Sequence, residues 1–376
     1  MITDALAHVQ WSSQLELMEH MTEGWREFLG RPGSFHGEGG GVMSALPVHK
    51  YQHPEGDYLS DSWPEPGGPP GSDPATLLAQ TQGRVVLSPQ SGILVPSIPN
   101  HYLAVEVARA ANDWLAARWL GADERLFGLV VVPNQLPEEA AAEIRRAGAN
   151  PRMVGVLMGG NGLNKPFGHP AYHPIYAAAA ELDLAVVIHG GGDATPEVIT
   201  HTAAGGLPAT WVEYRVLRAQ PVITHLVSLI GQGVFEKFPG LRVLIAGIGV
   251  QWLPSIFWRF DVNWKSFRRE APWVTEAPSA YLRSHVRVGT WPLDRGPNPA
   301  AFRRHLDAFG GVGDLLCFAS GYPERESDSL AAVESVIPAE WRQRVVESNS
   351  QWLYRWPGTS RDVPGPKAQV GTMEVR

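Results

Sequence analysis

The sequence predicts an α/β protein, a (β/α)8 TIM barrel, on three observations. Short apolar runs rich in Val, Ile and Leu recur along the chain, helical patterns fall between them, and no break in composition marks a second domain. Runs of four to six such residues read as strands buried on both faces of a parallel sheet. They are RVVLS at 84–88, FGLVVV at 127–132, MVGVL at 153–157, LAVVIH at 184–189, PVITH at 221–225, RVLIAG at 242–247 and LLCFA at 315–319. Residues 2–7 supply the eighth strand. Over 104–120 an apolar stripe of Leu103, Val107, Ala110, Ala111, Trp114 and Leu115 predicts a helix. Residues 137–147 open with Pro137 and two glutamates, as helix starts prefer. Helices are also expected over 174–182 and 226–238. Eight β/α units in roughly 350 residues match a barrel with insertions. An open doubly wound sheet is the competing architecture.

Glycine and proline are concentrated rather than spread. They supply 15 of the 38 residues from Gly37 to Pro74, a composition that excludes a regular helix or central strand. Two readings stand: a disordered linker, or a long ordered excursion over a pocket, packed through Tyr51, Tyr58 and Trp63. The expected organisation is one barrel over 1–356, with this 37–74 excursion inserted after the first strand, and a flexible tail over 357–376.

Composition excludes several function classes. The 376 residues carry 38 acids against 31 bases, a net charge of −7, without basic runs, which argues against phosphate-driven nucleic-acid binding. No window reaches the ~18 consecutive apolar residues of a membrane span, and no signal-peptide pattern opens the chain. The single cysteine, Cys317, excludes an internal disulfide framework and a thiolate zinc cluster. A soluble, cytoplasmic protein is expected.

In such a barrel the chemistry sits where strands end and loops converge on the mouth. His8, His189 and His225 stand at the ends of the first, fifth and sixth predicted strands. Singly, each reads as a hydrogen-bonded loop residue. Jointly, they form a constellation able to hold a divalent metal or transfer a proton. Other motifs carry less. His189-Gly190-Gly191-Gly192 has the look of a lipase oxyanion loop, yet no Gly-x-Ser-x-Gly elbow exists. Gly159-Gly160-Asn161-Gly162 lacks a dinucleotide fingerprint and reads as a shaped mouth loop. His169 and His173 lie four apart, but Pro170 breaks the helix a metal pair needs. Cys317 reads as a small core residue. Trp252, Ile256, Phe260 and Trp264 mark one helix face, for core packing or, with Phe257 and Trp258 widening the apolar surface, for a subunit interface.

The chain resembles the amidohydrolase-related family that includes aminocarboxymuconate-semialdehyde decarboxylase, over nearly its whole length from Thr3 to Trp356. The likeness runs through Ala111-Asn112-Asp113-Trp114-Leu115, VVIHGGG at 186–192 and ITHLVSLIGQGVFEKFPGLRVLI at 223–245. It continues in order through WLPSIFWRFDVNW, PSAYLRSHVRVGTWPL, FASGYP and ESNSQWLY. The resemblance implies an amidohydrolase-type barrel with one zinc or manganese ion at its mouth. Its ligands would be an acidic-or-His–x–His pair after the first strand, a His after the fifth and an Asp after the eighth. A further His after the sixth strand works on bound water or substrate. By that mapping His8 and His189 are remnant metal ligands and His225 is the catalytic residue. Trp291, in GTWPL, and Glu324, where a His often follows Tyr-Pro, fall in the substrate pocket. The partner of His8 is Leu6, the eighth-strand aspartate is Gly321, and the acidic residue after the seventh strand falls on Ala246.

A catalytic zinc needs about three protein ligands and an open position. No cofactor is therefore expected, with zinc or manganese only where Asp4, Glu324 or Asp193 makes good the loss. The leading expectation is a pseudoenzyme or accessory subunit, a homodimer or a heterodimer with an active relative, lending a loop or helix 252–269 to the partner. The alternative is an active hydrolase, decarboxylase or cyclase on a small carboxylate or amide, using His8, His189 and His225 with little metal. A binding barrel without turnover ranks third. No nucleic-acid or membrane partner is expected.

Overall fold

The computed structural model describes residues 1–12, 14–30, 73–81, 83–98, 100–160, 165–191, 211–324 and 327–357. Eight parallel strands follow one another in chain order: β1 (Thr3–Val9), β2 (Arg84–Pro89), β3 (Leu126–Val131), β4 (Met153–Gly159), β5 (Ala185–His189), β6 (Val243–Ala246), β7 (Val286–Gly289) and β8 (Leu316–Cys317). Nearly every strand residue is buried, because the barrel interior covers one face and the outer helices the other. The chain beyond β8 runs along β1 and brings the sheet back on itself. Ala5 N–H donates to Phe318 O at 2.8 Å, Gly321 N–H to Leu6 O at 3.2 Å, and His8 N–H to Tyr322 O at 2.6 Å.

The buried carboxylate of Asp4 takes part in this seam, accepting from Leu6 N–H at 3.2 Å and Ser320 N–H at 2.9 Å. Burial pushes its pKa up to about 6 against those hydrogen bonds. It also borders a cavity of about 270 Å³ whose wall includes Leu77, Ser320 and Asp328. Most of the 37–74 excursion, residues 37–72, lies outside the described residues, as does the tail from 358. The excursion's last residue, Pro74, opens the helix Pro74–Gln80, which Asp73 caps through Ala75 N–H at 3.2 Å.

Two strand assignments differ from expectation. PVITH at 221–225 is not a strand but part of the helix Ala219–Gly231. Its β-branched residues outweigh helix propensity only in isolation. In the longer stretch Val222, His225, Leu226, Leu229 and Ile230 are buried at helical spacing, and Pro221 sits in the first turn, where no N–H is needed. The strand actually present is β7, VRVG, hidden by its arginine. Arg287 is fully buried with its guanidinium carbon 3.7 Å from the Trp352 ring centroid, and it donates to Val286 O and Arg283 O. The tryptophan replaces the water a guanidinium otherwise needs on that face.

The helix His101–Leu115 is locked to the barrel through Asn112. Its amide donates to Val131 O at 2.9 Å and Glu143 Oε1 at 2.6 Å, and its carbonyl accepts from Val131 N–H at 2.8 Å. All three partners are buried, so losing the amide leaves each of them wanting. Replacing Asn112→Ala is expected to lower stability by about 2–4 kcal/mol, read as a fall in the urea midpoint with an unchanged slope.

Candidate functional site

Three strand ends deliver the centre of the barrel mouth. β1 contributes His8, β5 ends on His189, and the segment leaving β7 contributes Trp291. The two imidazoles meet edge-on with ring centroids 5.0 Å apart, and the indole lies 5.6 Å from His8 and 6.2 Å from His189. His8 and Trp291 are fully buried and His189 is 2% exposed. Trp291 is therefore a packing element against the histidines rather than an open pocket wall.

Both imidazoles are neutral at neutral pH. Burial pulls His8 down to about 4, with Arg218 adding to the effect and Glu324 opposing it. Burial likewise holds His189 well below the usual range, and His8 and Arg218 push the same way. His189 Nδ1–H donates to Gly190 O at 2.8 Å, which leaves Nε2 as a bare acceptor. Among the described residues, His189 Nε2 and both nitrogens of His8 have no hydrogen-bond partner within ordinary distance, the Ser88 backbone being a further polar group that acts on His8.

His225 does not join them. It lies on the helix Ala219–Gly231, not at a strand end, and both ring nitrogens serve the backbone. Nδ1 accepts from Phe167 N–H at 3.2 Å, Nε2–H donates to Gly160 O at 2.9 Å, and the ring stacks on Phe167 with centroids 3.8 Å apart. Its expected catalytic role is thus corrected to a structural one. The true sixth strand ends at Ala246, so the residue following it is Gly247. Gly247 has φ +75, and a Cβ there would lie 2.9 Å from His189 Cε1. A larger side chain is excluded unless His189 moves.

The other positions that the resemblance would assign to metal ligands, Leu6 and Gly321, offer no polar side chain. Leu6 is fully buried in β1. Gly321 adopts φ +63, and a Cβ on it would fall 2.2 Å from the Trp291 indole. The indole thus occupies the space a side chain at position 321 would enter. Of the substitutes weighed above, Asp4 is engaged at the β1 seam, Asp193 lies outside the described residues, and Glu324 is paired elsewhere. Glu324 is 3.6 Å from Arg215 and accepts from Gln90 Nε2 at 3.4 Å. A divalent ion would find two imidazoles with unpartnered nitrogens here. Among the described residues, however, no group of three His, Cys, Asp or Glu side chains is placed to hold one. The described residues do not fit a zinc or manganese centre of the expected kind.

Sequence reasoning missed two arginines. Arg215 lies in the last turn of the helix Trp211–Leu217, and Arg218 joins that helix to the helix Ala219–Gly231. Arg218 lies with its guanidinium carbon 5.4 Å from the Trp291 ring centroid. Two bases three apart in an otherwise apolar stretch were the available signal. The secondary motifs read as expected where they are described. His169 accepts from Ala171 N–H at 3.2 Å as a cap, His173 accepts from Lys237 Nζ at 2.8 Å, and Cys317 is a buried thiol that burial pushes up to about 11.

A profile of the family described as Amidohydrolase matches residues 91–356. The chain belongs to this family. Its stretch of 197 residues is 30% identical to a gamma-resorcylate decarboxylase of Rhodococcus jostii, covering 50% of this chain and 56% of that protein. A second gamma-resorcylate decarboxylase, from Rhizobium sp., is 26% identical over 288 residues, covering 70% and 80% respectively. The chain thus spans just over half the length of the Rhodococcus relative. The fold matches that of the 5-carboxyvanillate decarboxylase of Sphingomonas paucimobilis, with a TM-score of 0.64 and 20% identity over 94% of this chain and 99% of that one. It also matches a dihydroxybenzoic acid decarboxylase of Polaromonas sp. JS666 solved with manganese and 2-nitroresorcinol, with a TM-score of 0.60 and 19% identity over 94% and 97%. The chain is an amidohydrolase-family, decarboxylase-like barrel. No helix among the described residues is long and apolar enough to cross a membrane.

Two expectations follow from this packing. Burial holds His225 at about 4, below its unfolded value near 6.5, so its stabilising contribution is complete above 6.5 and is lost as pH falls toward 4. Between pH 7 and pH 5 the native chain should lose about 2 kcal/mol more stability than its His225→Asn variant, measured by denaturant melts at each pH. Gly321→Ala should destabilise the native chain more than it destabilises a Trp291→Ala background. A double-mutant cycle should give a coupling above about 1 kcal/mol, since the two sites share one space.

Proposed function

We propose that this chain is a pseudoenzyme of the decarboxylase-like amidohydrolases, an accessory subunit that pairs with an active relative or with itself. One observation carries the reading: the Trp291 indole stands where a residue at position 321 would project, 2.2 Å from that residue's would-be Cβ, over the imidazoles of His8 and His189. Leu6 and Gly247 close two further positions to polar side chains. A dication in this mouth would meet two neutral imidazoles and a field divided between the guanidinium of Arg218 and the carboxylate of Glu324, which lies in ion-pair range of Arg215. That falls short of the carboxylate compensation a metal-bound nucleophile requires.

Two sides of the helix Trp252–Phe267 support the pairing. Ile256, Phe260 and Trp264 pack onto the core, while Trp258, Val262 and Phe267 stand exposed. Large apolar side chains grouped in this way commonly mark a protein contact.

A second reading is a metal-independent hydrolase, decarboxylase or cyclase acting on a small carboxylate or amide. The unpartnered nitrogens of His8 and His189 favour it, since unpaired buried imidazole nitrogens are what a proton-transfer site would offer. His225 takes no part in it.

Metal analysis separates these readings from ordinary family chemistry. The chain purified from cells supplied with zinc and manganese is expected to carry far less than one ion. It should not turn over 2,6-dihydroxybenzoate or 5-carboxyvanillate, followed by release of carbon dioxide. Near-stoichiometric metal, with turnover abolished by a chelator, would overturn the proposal. Chelator-resistant turnover lost in His189→Ala would establish the second reading instead.

A further inference from the structure

Among the described residues, Arg218 is a charged side chain of the mouth that no partner answers. It is 8% exposed, and it makes no hydrogen bond and no ion pair with any described residue. The Trp291 ring covers it at 5.4 Å. Its charge is felt by both His8 and His189. The nearby carboxylates do not answer it. Glu324 is in ion-pair range of Arg215 instead, and Asp294, which burial makes a weaker acid, interacts with both arginines only from beyond ion-pair distance. Arg218 keeps 8% of its surface exposed, whereas His8 and Arg287 keep none.

A buried guanidinium with unused donors is costly to keep, because the water that would solvate it has been largely removed. Its planar fork matches a carboxylate, which accepts two parallel N–H bonds and neutralises the charge. With Glu324 and Asp294 close by, a single negative charge suits the site. A dianionic phosphate would bring more negative charge than one arginine balances.

We propose that Arg218 is the anion anchor of the barrel mouth and binds the carboxylate of a small organic acid through its guanidinium, without a metal ion. The proposal rests on the reading above that the mouth holds no divalent ion. It goes further in giving the protein a ligand class and a recognising residue, whether or not turnover follows.

The test is calorimetric titration of the full chain in excess chelator, with benzoate, 2,6-dihydroxybenzoate, benzamide and inorganic phosphate as probes. At least one of the two carboxylates is expected to bind saturably, while benzamide and phosphate do not. The Arg218→Gln variant should bind that carboxylate roughly 10- to 100-fold more weakly, the range for losing a charge-assisted bidentate contact. Arg218→Lys, which keeps the charge but not the fork, should fall between, and it serves as the reporting variant if Arg218→Gln does not fold. Binding of neither carboxylate, equal binding of benzamide, preference for phosphate, or carboxylate binding unaffected by both substitutions would each overturn the proposal. Carboxylate binding that disappears with chelator and returns with manganese would instead overturn the metal-free reading beneath it. Metal dependence and Arg218 dependence are thus read separately.

Discussion

The mouth of this barrel is organised by the packing of one indole. Trp291 leaves β7 fully buried, meets His8 and His189 through its edges and face, accepts Arg218 over its ring, and fills the space beside Gly321. Each contact constrains another. An aromatic ring of this size cannot share the mouth with a side chain at position 321, because protein interiors are packed to near crystal density. Once the indole is in place, the two histidines lose solvent and remain neutral. The same ring offers its electron-rich face to a cation, which explains how Arg218 is tolerated at depth.

The barrel around this centre is ordinary, and its seams show how the centre is held. β1 is joined to the chain after β8 by backbone hydrogen bonds at Ala5, Leu6 and His8, with Asp4 tying Leu6 and Ser320 through one carboxylate. His8 and Gly321 thereby belong to neighbouring segments of one seam. At the opposite end, Arg242 donates to Leu353 O, to Asp183 O and to the Asp183 carboxylate, while Arg355 binds the same carboxylate. These contacts fasten the last described helix beneath β5 and β6. Asn112 and Arg242 are each tied into the scaffold by several hydrogen bonds, and buried nitrogens without a partner among the described residues occur at His8 and His189 in the mouth and at Arg287 in β7. The mouth differs in that its two histidines, Trp291 and Arg218 stand together at the strand ends.

The sequence was most legible where a signal is local. The runs at 84–88, 127–132, 153–157, 184–189 and 242–247 became strands because continuous burial leaves a continuous apolar record. His8 and His189 could be placed together because each ends such a run. PVITH misled, since five residues cannot distinguish a buried strand from one buried face of a helix, and the error carried His225 to a mouth it does not enter. VRVG escaped because a charged residue in a core strand breaks the apolar pattern, and only the stacked Trp352 makes Arg287 acceptable there.

What the sequence by itself determined was the barrel and the two mouth histidines; that Leu6 and Gly321 fall at metal-ligand positions is what the family resemblance implies. These are matters of periodicity and of residue type at a known place along the chain. Only the tertiary structure decided that Gly321 is a space filled by Trp291, that Gly247 follows the sixth strand, that His225 serves two backbone groups, and that Arg218 lies buried without a described partner. These depend on what stands within a few ångströms across elements more than twenty residues apart. No local pattern records such neighbours, because steric exclusion and desolvation are properties of the packed mouth rather than of any one segment.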